Sequence, residues 1–551
     1  MAEEGIEKKS SFNERGKFLA RSTLLLVVAT IISRLLGMVR EIMVAKLYGA
    51  TGLTDSFFFA YNIPELIRTL LISGALSSVF IPIFAEFRDK KGIEEAKRMS
   101  GQMFGFIFFL SLGIAVIGII IAPLIVSLAQ FIGMGKVDAD IFKLTVELAR
   151  LVFPILIFIA LSGLCQGIFN SMNNFKTPAF APYLFNLIII GILLTEDLFS
   201  TEARITVAAV AYVAGGAAQL LYQMPRLIKD GIKLDFKINF KNPVYSRLLV
   251  LAPAAMLGYA TVVINSFVDK SIAYALAPVS LSALPYGFRV EQLPFSVFGV
   301  SISTALFPTI SKYLTEGKME EFKRFTAAGV RILVFTVAPA MVILLALTQP
   351  IIFLLFERGA FDAKATNAVS EALFYYSLGL IPASLLLLIS RVFFASKDMK
   401  TPLKAGLVMV FLNLVLDLYF SQQWGLGWGF QGIALVTSLV AFLNLGILVF
   451  ILDRRYGDFI RMFFNRHVVK VFIASVLQFV FAKWMWWKLI EEYFGREAGE
   501  TPLPHEALIS LFLTITLSSG FYLVVMFILR SNEISMIKEY LLKRTTRQNS
   551  D

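Results

Sequence analysis

Four arginines lie within long apolar stretches of the sequence, where a charged side chain is costly. Arg34 and Arg40 fall in the first such stretch, Arg68 in the second, and Arg289 in the eighth. An arginine at the centre of a membrane-spanning helix costs about 2.5–3.5 kcal/mol on insertion scales, so it requires a partner or an aqueous cavity. Because arginine stays charged and presents a planar fork of donors, it suits phosphate better than lysine does. The four side chains predict a binding site for an anionic, phosphate-bearing substrate.

Nearby carboxylates offer a second interpretation of these arginines. Glu41 follows Arg40 directly, and Asp55, Glu65 and Glu291 lie in the same stretches as the other arginines. The arginines would then form internal ion pairs or extend to the membrane interface, with no role in binding. We favour binding for the set of four, because their helices are expected to face one another across two halves. Asp55 and Glu41 would orient arginines or act at a gate.

Proline and glycine accompany two of the arginines. Pro64 lies four residues before Arg68, and Pro285 and Gly287 lie just before Arg289. Proline removes a helical hydrogen bond, and the backbone groups that it exposes can line a cavity within a membrane protein. The sequence therefore predicts an interrupted eighth helix whose exposed backbone groups help to bind the anion.

A second set of polar side chains, called the acidic set here, contains two carboxylates, an amide and a hydroxyl. Asp269 lies in the seventh apolar stretch, Asn413 and Asp417 lie on one face of the eleventh, and Thr437 lies in the twelfth. Carboxylate, amide and hydroxyl oxygens are ligands for a hard cation, so this set predicts a site for Na⁺ or a proton. Hydrogen bonds between helices would explain the same residues without an ion, and the sequence leaves both interpretations open.

The composition excludes a soluble fold. Of 551 residues, 57% are hydrophobic and 16% are charged, and the mean hydropathy is +0.74. Apolar stretches long enough for the roughly 20 residues of a membrane-spanning helix recur about fourteen times between residues 23 and 530. The prediction is an all-α polytopic membrane protein with about fourteen transmembrane helices. The first stretch, residues 23–48, is too long for a signal peptide and is expected to remain as a helix.

The net charge of +12 follows membrane topology and does not indicate nucleic acid. If the amino terminus is cytoplasmic, most lysines and arginines fall in cytoplasmic loops, and few fall on the other side. The sequence therefore predicts cytoplasmic amino and carboxyl termini and no nucleic-acid partner. The basic loops are expected to contact lipid headgroups.

The chain contains an internal repeat. Asn174-Phe-Lys-Thr-Pro178 returns as Asp398-Met-Lys-Thr-Pro402, about 225 residues later. An even number of helices in the offset gives two six-helix lobes of the same orientation, with substrate bound between them. The predicted organisation is an N-lobe at 1–226, a cytoplasmic linker at 227–246, a C-lobe at 247–452, and two further helices with a cytoplasmic tail at 453–551.

Enzymatic chemistry is not expected. The chain has one cysteine, Cys165, and two histidines, His467 and His505, and no nucleophile elbow, Walker loop or dinucleotide motif in a suitable context. The prediction is a transporter that requires no cofactor apart from the Na⁺ considered above. Without an ATP-binding domain, its energy would come from ion gradients, the membrane potential or substrate flow.

Several motifs carry a family resemblance. The segments Ser33-Arg-Leu-Leu-Gly-Met-Val-Arg40-Glu41, Thr54-Asp-Ser-Phe-Phe58, Pro64-x-x-x-Arg68 and Ser73-Gly-Ala75 closely resemble the MurJ (MviN) family of lipid II flippases. That family belongs to the multidrug/oligosaccharidyl-lipid/polysaccharide exporter superfamily. The resemblance extends over nearly the whole chain.

The resemblance implies a fourteen-helix fold with a cationic cavity between two lobes. It implies that the essential cavity residues of the family correspond to Arg34, Arg40, Arg68, Arg289 and Asp55. It also implies a sodium site, described for some members, at Asp269, Asn413, Asp417 and Thr437. The last two helices would form a hydrophobic groove for an undecaprenyl tail.

Three positions depart from the pattern of some members. Ser73 and Gln292 stand where some relatives carry glutamate, although Glu291 lies beside Gln292, and Asn62 stands where some carry lysine. A salt-bridge gate built on those acidic groups is therefore not expected in this chain.

The expected function is translocation of lipid II, the undecaprenyl-diphosphate-linked disaccharide-pentapeptide, by alternating access from the cytoplasmic to the outer leaflet. The expected location is the bacterial cytoplasmic (inner) membrane, with membrane lipids and cell-wall synthesis enzymes as further partners. One alternative is an exporter of another lipid-linked oligosaccharide or a drug, although four arginines disfavour a cationic drug. Another alternative is a non-transporting scaffold for cell-wall synthesis.

Overall fold

Helices and short connections make up the described part of the chain. The computed structural model describes residues 32–71, 80–172, 174–195, 198, 204–237, 243–276, 279–463, 466–494 and 503–531. Within these ranges every regular element is helical, which confirms the all-α prediction. The start of the first predicted helix (residues 23–31), the Ser73-Gly-Ala75 motif and both termini lie outside the described residues.

Many of the helices are suited to a bilayer. Ten helices within the described ranges are long and apolar enough to cross a membrane, and a helix pair bent by 43° at Gly379 raises this number to eleven. The multi-pass membrane architecture is therefore confirmed. The full count of about fourteen stays a prediction, because the first helix is described only from residue 32.

The described residues form two compact units, divided between Ala275 and Leu276. The first unit contains nine of the described helices: α1 (32–48), α2 (Gly52–Thr69), α3 (Ile81–Lys91), α4 (Ile93–Gly133), α5 (Ala139–Val152), α6 (Ile155–Ser171), α7 (Lys176–Leu193), α8 (Arg204–Lys229) and α9 (Pro243–Ala275).

Helix α9 packs within the first unit. The Tyr245 hydroxyl donates to the carbonyl of Gln102 on α4 at 3.1 Å, and the Tyr274 hydroxyl bonds Thr145 on α5 at 2.8 Å. A Cβ at Gly133 would lie 2.3 Å from the Ala275 side chain, so the end of α4 and α9 approach closely. The sequence assigns this helix to a C-lobe that begins at residue 247, whereas its contacts here are with the first unit. The boundaries of the functional lobes stay a prediction.

The second unit contains the remaining described helices. They are α10 (Ser280–Pro294), a π-helical segment (Phe295–Val300), α11 (Ser301–Thr315), α12 (Met319–Ala346), α13 (Thr348–Phe356), α14 (Ala363–Leu378), α15 (Leu380–Ala395), α16 (Lys400–Ser421), α17 (Phe430–Tyr456), α18 (Phe459–Phe463), α19 (Arg466–Trp487), a second π-helical segment (Lys488–Tyr493) and α20 (Pro504–Ile528).

The repeated motif starts a helix in each unit. Before α7, the Asn174 side chain accepts from the backbone N–H of Thr177 at 3.3 Å, and before α16, Asp398 accepts from that of Thr401 at 3.0 Å. Both side chains therefore satisfy a backbone donor that a helix start leaves open. The second copy adds an ion pair of 2.6 Å with Arg455. Burial opposes charge on Asp398, but hydrogen bonds from Thr401 and Arg455 lower the pKa of this carboxyl to about 2.

The predicted interruption of the eighth helix is wrong. Helix α10 continues through Pro285 and Gly287 as far as Pro294, and its irregular part is the π-helical segment that follows. A Cβ on Gly287 would lie 2.9 Å from the backbone nitrogen of Leu373, so this glycine allows α14 to approach closely. Gly287 therefore serves helix packing, and one missing hydrogen bond at Pro285 leaves the helix intact.

Candidate substrate site

Arg40 is the most deeply buried of the four arginines predicted to bind the substrate. It lies near the middle of α1 and is 6% exposed. One terminal nitrogen donates to Glu41 Oε1 at 2.6 Å, and the other donates to Asn186 Oδ1 on α7 at 3.1 Å. The guanidinium lies 5.1 Å from the ring centroid of Tyr212 on α8. Arg40 therefore joins three helices of the first unit, and its charge is balanced by an adjacent carboxylate.

The Asn186 amide is oriented by its own helix. Its Nδ2 donates to the carbonyl of Pro182 at 3.0 Å, which leaves Oδ1 as the group that faces Arg40. An arginine has no acceptor, so only the amide oxygen can satisfy it. The signal in the sequence is an asparagine inside the apolar run that follows Pro182, and sequence reasoning missed it.

A line of aromatic and charged side chains connects Arg40 with Arg68. Tyr212 packs edge to face on Tyr61 with centroids 4.7 Å apart, and the Tyr61 hydroxyl lies 3.5 Å from Glu65 Oε2. Arg68 Nε donates to the same oxygen at 2.7 Å, and a second nitrogen of Arg68 bonds Glu65 Oε1. The Arg68 and Glu65 side chains are each about one-third exposed. Arg68 is therefore accessible and is held by a carboxylate one helical turn away.

The other predicted residues of the first unit differ in exposure. Arg34 is exposed on α1, two turns before Arg40. Asp55 is buried in the first turn of α2, next to a helix start capped by Thr51.

A lysine reaches α2 from another helix of the first unit. Lys270 on α9 donates through Nζ to the amide oxygen of Asn62 on α2. An ammonium group from α9 therefore contacts α2 at Asn62. Its neighbour Asp269 accepts from Asn265 Nδ2 at 3.2 Å. Sequence spacing cannot reveal the contact between α2 and α9, since it joins residues more than two hundred positions apart.

In the second unit, Arg289 is exposed on α10, while Glu291 is buried. Gln292 donates through Nε2 to Glu291 Oε2 at 3.0 Å. Gln292 thus makes a hydrogen bond to the carboxylate beside it. Two arginines of membrane helices that sequence reasoning passed over, Arg331 on α12 and Arg391 on α15, also belong to this unit.

The acidic set is divided between the two units. Asn413 and Asp417 are fully buried one turn apart on α16, and Asn413 Nδ2 donates to Asp417 Oδ2 at 2.6 Å. Thr437 lies on the neighbouring α17 and donates to the carbonyl of Ile433 at 3.0 Å. Asp269 belongs to the first unit. No group of three or more His, Cys, Asp or Glu side chains within the described ranges could hold a metal ion, so a cation would depend on neutral oxygen ligands as well.

Chemically, this arrangement is suited to binding and not to covalent catalysis. Planar guanidinium groups paired with carboxylates can exchange partners with a phosphate, which accepts the same two parallel hydrogen bonds. Comparison with known proteins also indicates binding and not covalent catalysis. The family model described as "Lipid II flippase MurJ" matches residues 44–497. The chain belongs to the MurJ family.

Other members of the MurJ family match most of the chain. The probable lipid II flippase MurJ of Vibrio cholerae serotype O1 is 31% identical over 439 residues, which cover 78% of this chain and 82% of the relative. The corresponding protein of Rhizobium tropici is 29% identical over 530 residues, or 95% of this chain and 96% of the relative. The similarity thus extends beyond the arginine-bearing helices.

Solved structures show the same fold. The structure titled "Lipid II flippase MurJ, inward closed conformation" is 26% identical, with a TM-score of 0.74, and the match covers 93% of this chain and all of that one. An inward-facing multidrug resistance MATE family transporter of the MOP superfamily matches with a TM-score of 0.63 at 14% identity, covering 80% of this chain and 99% of that one. At this identity the second match establishes only a shared fold.

Proposed function

We propose that this protein is a lipid II flippase that moves the undecaprenyl-diphosphate-linked precursor of peptidoglycan from the cytoplasmic to the outer leaflet. The observation that carries the proposal is the presence of accessible arginines on helices of a MurJ-family chain. Arg34 and Arg289 are exposed, and Arg68 is partly exposed. A diphosphate is the part of lipid II that such groups recognise best.

The carboxylate partners define how binding would proceed. The substrate diphosphate replaces Glu65 as the partner of Arg68, because both present paired oxygens to the same guanidinium. Arg40 keeps its position through Asn186 and Glu41 and contributes positive charge from a buried site. Arg289 contributes charge from the second unit. Transport proceeds by alternating access, in which substrate binding favours one conformation over another.

The cellular context follows from the same assignment. The protein lies in the bacterial cytoplasmic membrane with both termini in the cytoplasm, since the basic loops concentrate on that side. The precursor that it delivers is used by cell-wall synthesis enzymes, which are its expected partners.

Helices α19 and α20 hold the polyprenyl tail, since their outward surfaces are apolar at positions such as Phe472, Trp484, Phe512 and Phe527.

Reconstitution tests the proposal directly. The purified full-length protein is placed in vesicles that contain lipid II, and appearance of the head group in the opposite leaflet is measured with time. We expect faster translocation than in protein-free vesicles, and a lipid II adduct in native mass spectrometry. An Arg34→Gln/Arg68→Gln variant serves as the matched control and should lose both. Translocation no faster than in protein-free vesicles, or an adduct with a different lipid-linked glycan, contradicts the proposal.

A sodium site in the second unit forms a separate part of the proposal. The Asp417 carboxylate, the Asn413 amide and the Thr437 hydroxyl lie on the packed helices α16 and α17. Burial of a carboxylate is costly unless a cation or hydrogen bonds compensate for it. Na⁺ would add to the hydrogen bond from Asn413, with oxygen ligands of the kind that hard cations prefer.

Thermal unfolding of the purified protein measures sodium binding. We expect the unfolding midpoint to rise when NaCl replaces KCl at equal ionic strength, because a ligand that binds only the folded state stabilises it. Asp417→Asn should remove this rise, and Glu371→Gln, an exposed change on α14, should retain it. An equal rise in the wild type and Asp417→Asn would rule out the site.

A further inference from the structure

A proline in α12 leaves a backbone carbonyl in need of a donor. Pro339 lies inside this helix and has no N–H, so the carbonyl of Phe335, four residues earlier, loses its usual helical partner. Such a group is costly within a bilayer, where no water is present to satisfy it. Membrane proteins tolerate helical proline when a neighbouring helix supplies the missing donor.

Helix α20 supplies that donor. The Tyr522 hydroxyl donates to the carbonyl of Phe335 at 3.1 Å, and the two rings pack with centroids 5.8 Å apart. Tyr522 is 1% exposed, so the bond is shielded from competing groups. Helix α19 reaches the same turn, because Gln478 donates through Nε2 to the carbonyl of Pro339 in a long contact of 3.4 Å. Both helices of the α19–α20 pair therefore bond to one site on α12.

Polar contacts matter here because the lipid environment of these helices is apolar. Helices in lipid gain no hydrophobic free energy from association, so close packing and hydrogen bonds must hold them together. The inward face of α20 carries Ser510, Thr514, Ser518 and Tyr522 at four-residue intervals, all buried. Of these four, only Tyr522 is long enough to combine ring packing with a hydrogen bond to α12. It is therefore the residue through which α20 bonds to α12, while α19 packs directly along α12.

A similar arrangement occurs in the first unit. Pro123 lies inside α4, and the carbonyl of Ile119, four residues earlier, accepts from Arg150 Nε on α5 at 3.3 Å. That contact joins consecutive helices, which the chain already holds together. The contact of Tyr522 joins residues 187 positions apart and fixes a helix pair that no short connection ties to α12.

We propose that the hydrogen bond from Tyr522 to the carbonyl exposed by Pro339 fastens the α19–α20 pair to α12 and positions it for the polyprenyl tail of the substrate. Tyr522 is a positioning residue, since its hydroxyl donates to the backbone of α12. The inference rests on the proposed function in assigning the tail to α19 and α20. The fastening itself depends only on the contacts with Phe335 and Pro339.

Four proteins test the fastening: the wild type, Tyr522→Phe, Pro339→Ala and the double variant. Tyr522→Phe keeps the ring and removes the donor, and we expect a fall of about 2 °C or more in the thermal midpoint. Pro339→Ala restores an N–H for the Phe335 carbonyl, so Tyr522→Phe should cost much less in that background. Tyr493→Phe, a change at a 77% exposed tyrosine, is the matched control and should have no effect. Equal losses from Tyr522→Phe in both backgrounds overturn the fastening.

Substrates with different tails test the positioning. We expect Tyr522→Phe to slow translocation of undecaprenyl lipid II about fivefold, while a farnesyl-tailed analogue stays within about twofold of wild type. Pro339→Ala/Tyr522→Phe also lacks the bond between α20 and α12, so it should translocate undecaprenyl lipid II as slowly as Tyr522→Phe. Equal slowing of both substrates, or of neither, overturns the positioning role. If the wild type moves no lipid II at all, the proposed function fails, and the thermal comparison still decides whether the helices are fastened as described.

Discussion

Arg40→Ala should abolish transport and destabilise the protein, and adding Glu41→Gln should restore part of the stability but no transport. Arg40 is buried, and its ion pair with Glu41 measures 2.6 Å. Removing one partner of a buried pair leaves a charge without its counterion and costs about 3–5 kcal/mol. Glutamine in place of Glu41 removes the buried negative charge, so the double variant should regain part of this stability, although the contacts of the guanidinium with Asn186 and Tyr212 stay lost. The missing positive charge is not replaced, and transport stays lost.

Denaturation of the purified protein and translocation in vesicles separate these two effects. Arg40→Lys is the control that keeps the charge while losing the second hydrogen-bonding arm, so it should retain part of the activity. If transport returned together with stability in Arg40→Ala/Glu41→Gln, Arg40 would be a structural ion-pair residue and not a part of the binding site.

Arg289→Ala should have the opposite profile, with a large loss of transport and unchanged stability. Arg289 is exposed on α10, and exposed substitutions usually change the free energy of unfolding by no more than about 0.5 kcal/mol. A hydrogen bond to a charged group contributes about 1.5–3 kcal/mol, so losing one to a diphosphate should slow transport roughly tenfold to a hundredfold.

The rate of lipid II translocation at limiting substrate measures this loss. Arg289→Lys should lie between wild type and alanine, because an ammonium presents a point charge and not a planar fork. Arg461→Ala, at an 88% exposed side chain on α18, is the matched loss of one positive charge and should transport normally. Similar slowing by both alanine variants would indicate a general charge effect and contradict a specific role for Arg289.

The sequence predicts local structure well where the physical signal is local. Long apolar runs become helices because a bilayer demands internal hydrogen bonding, and the motif at Asn174 and Asp398 starts a helix in both units. The pairing of Arg68 with Glu65 is also local, and the sequence includes it among the alternatives. Each of these depends on residues close in the chain.

Contacts between distant helices could not be predicted in the same way. Asn186 as the partner of Arg40, Lys270 as the partner of Asn62 and the packing of α9 in the first unit all depend on which helix faces align. Helices that are apolar on every face carry no periodic signal of their orientation. Helix α10 continues through Pro285 for a related reason. Neighbouring helices decide whether a helix continues through a proline or is interrupted by it.

The Arg68–Glu65 pair has a consequence for how tightly the protein holds its cargo. In the proposed mechanism, an anion that binds the two Arg68 nitrogens held by Glu65 must displace an internal competitor whose effective concentration is very high. The proposed competition lowers the affinity of Arg68 for the substrate and raises the rate of substrate release. An inhibitor that only imitates the diphosphate meets the same competitor, so high affinity would have to come from contacts elsewhere.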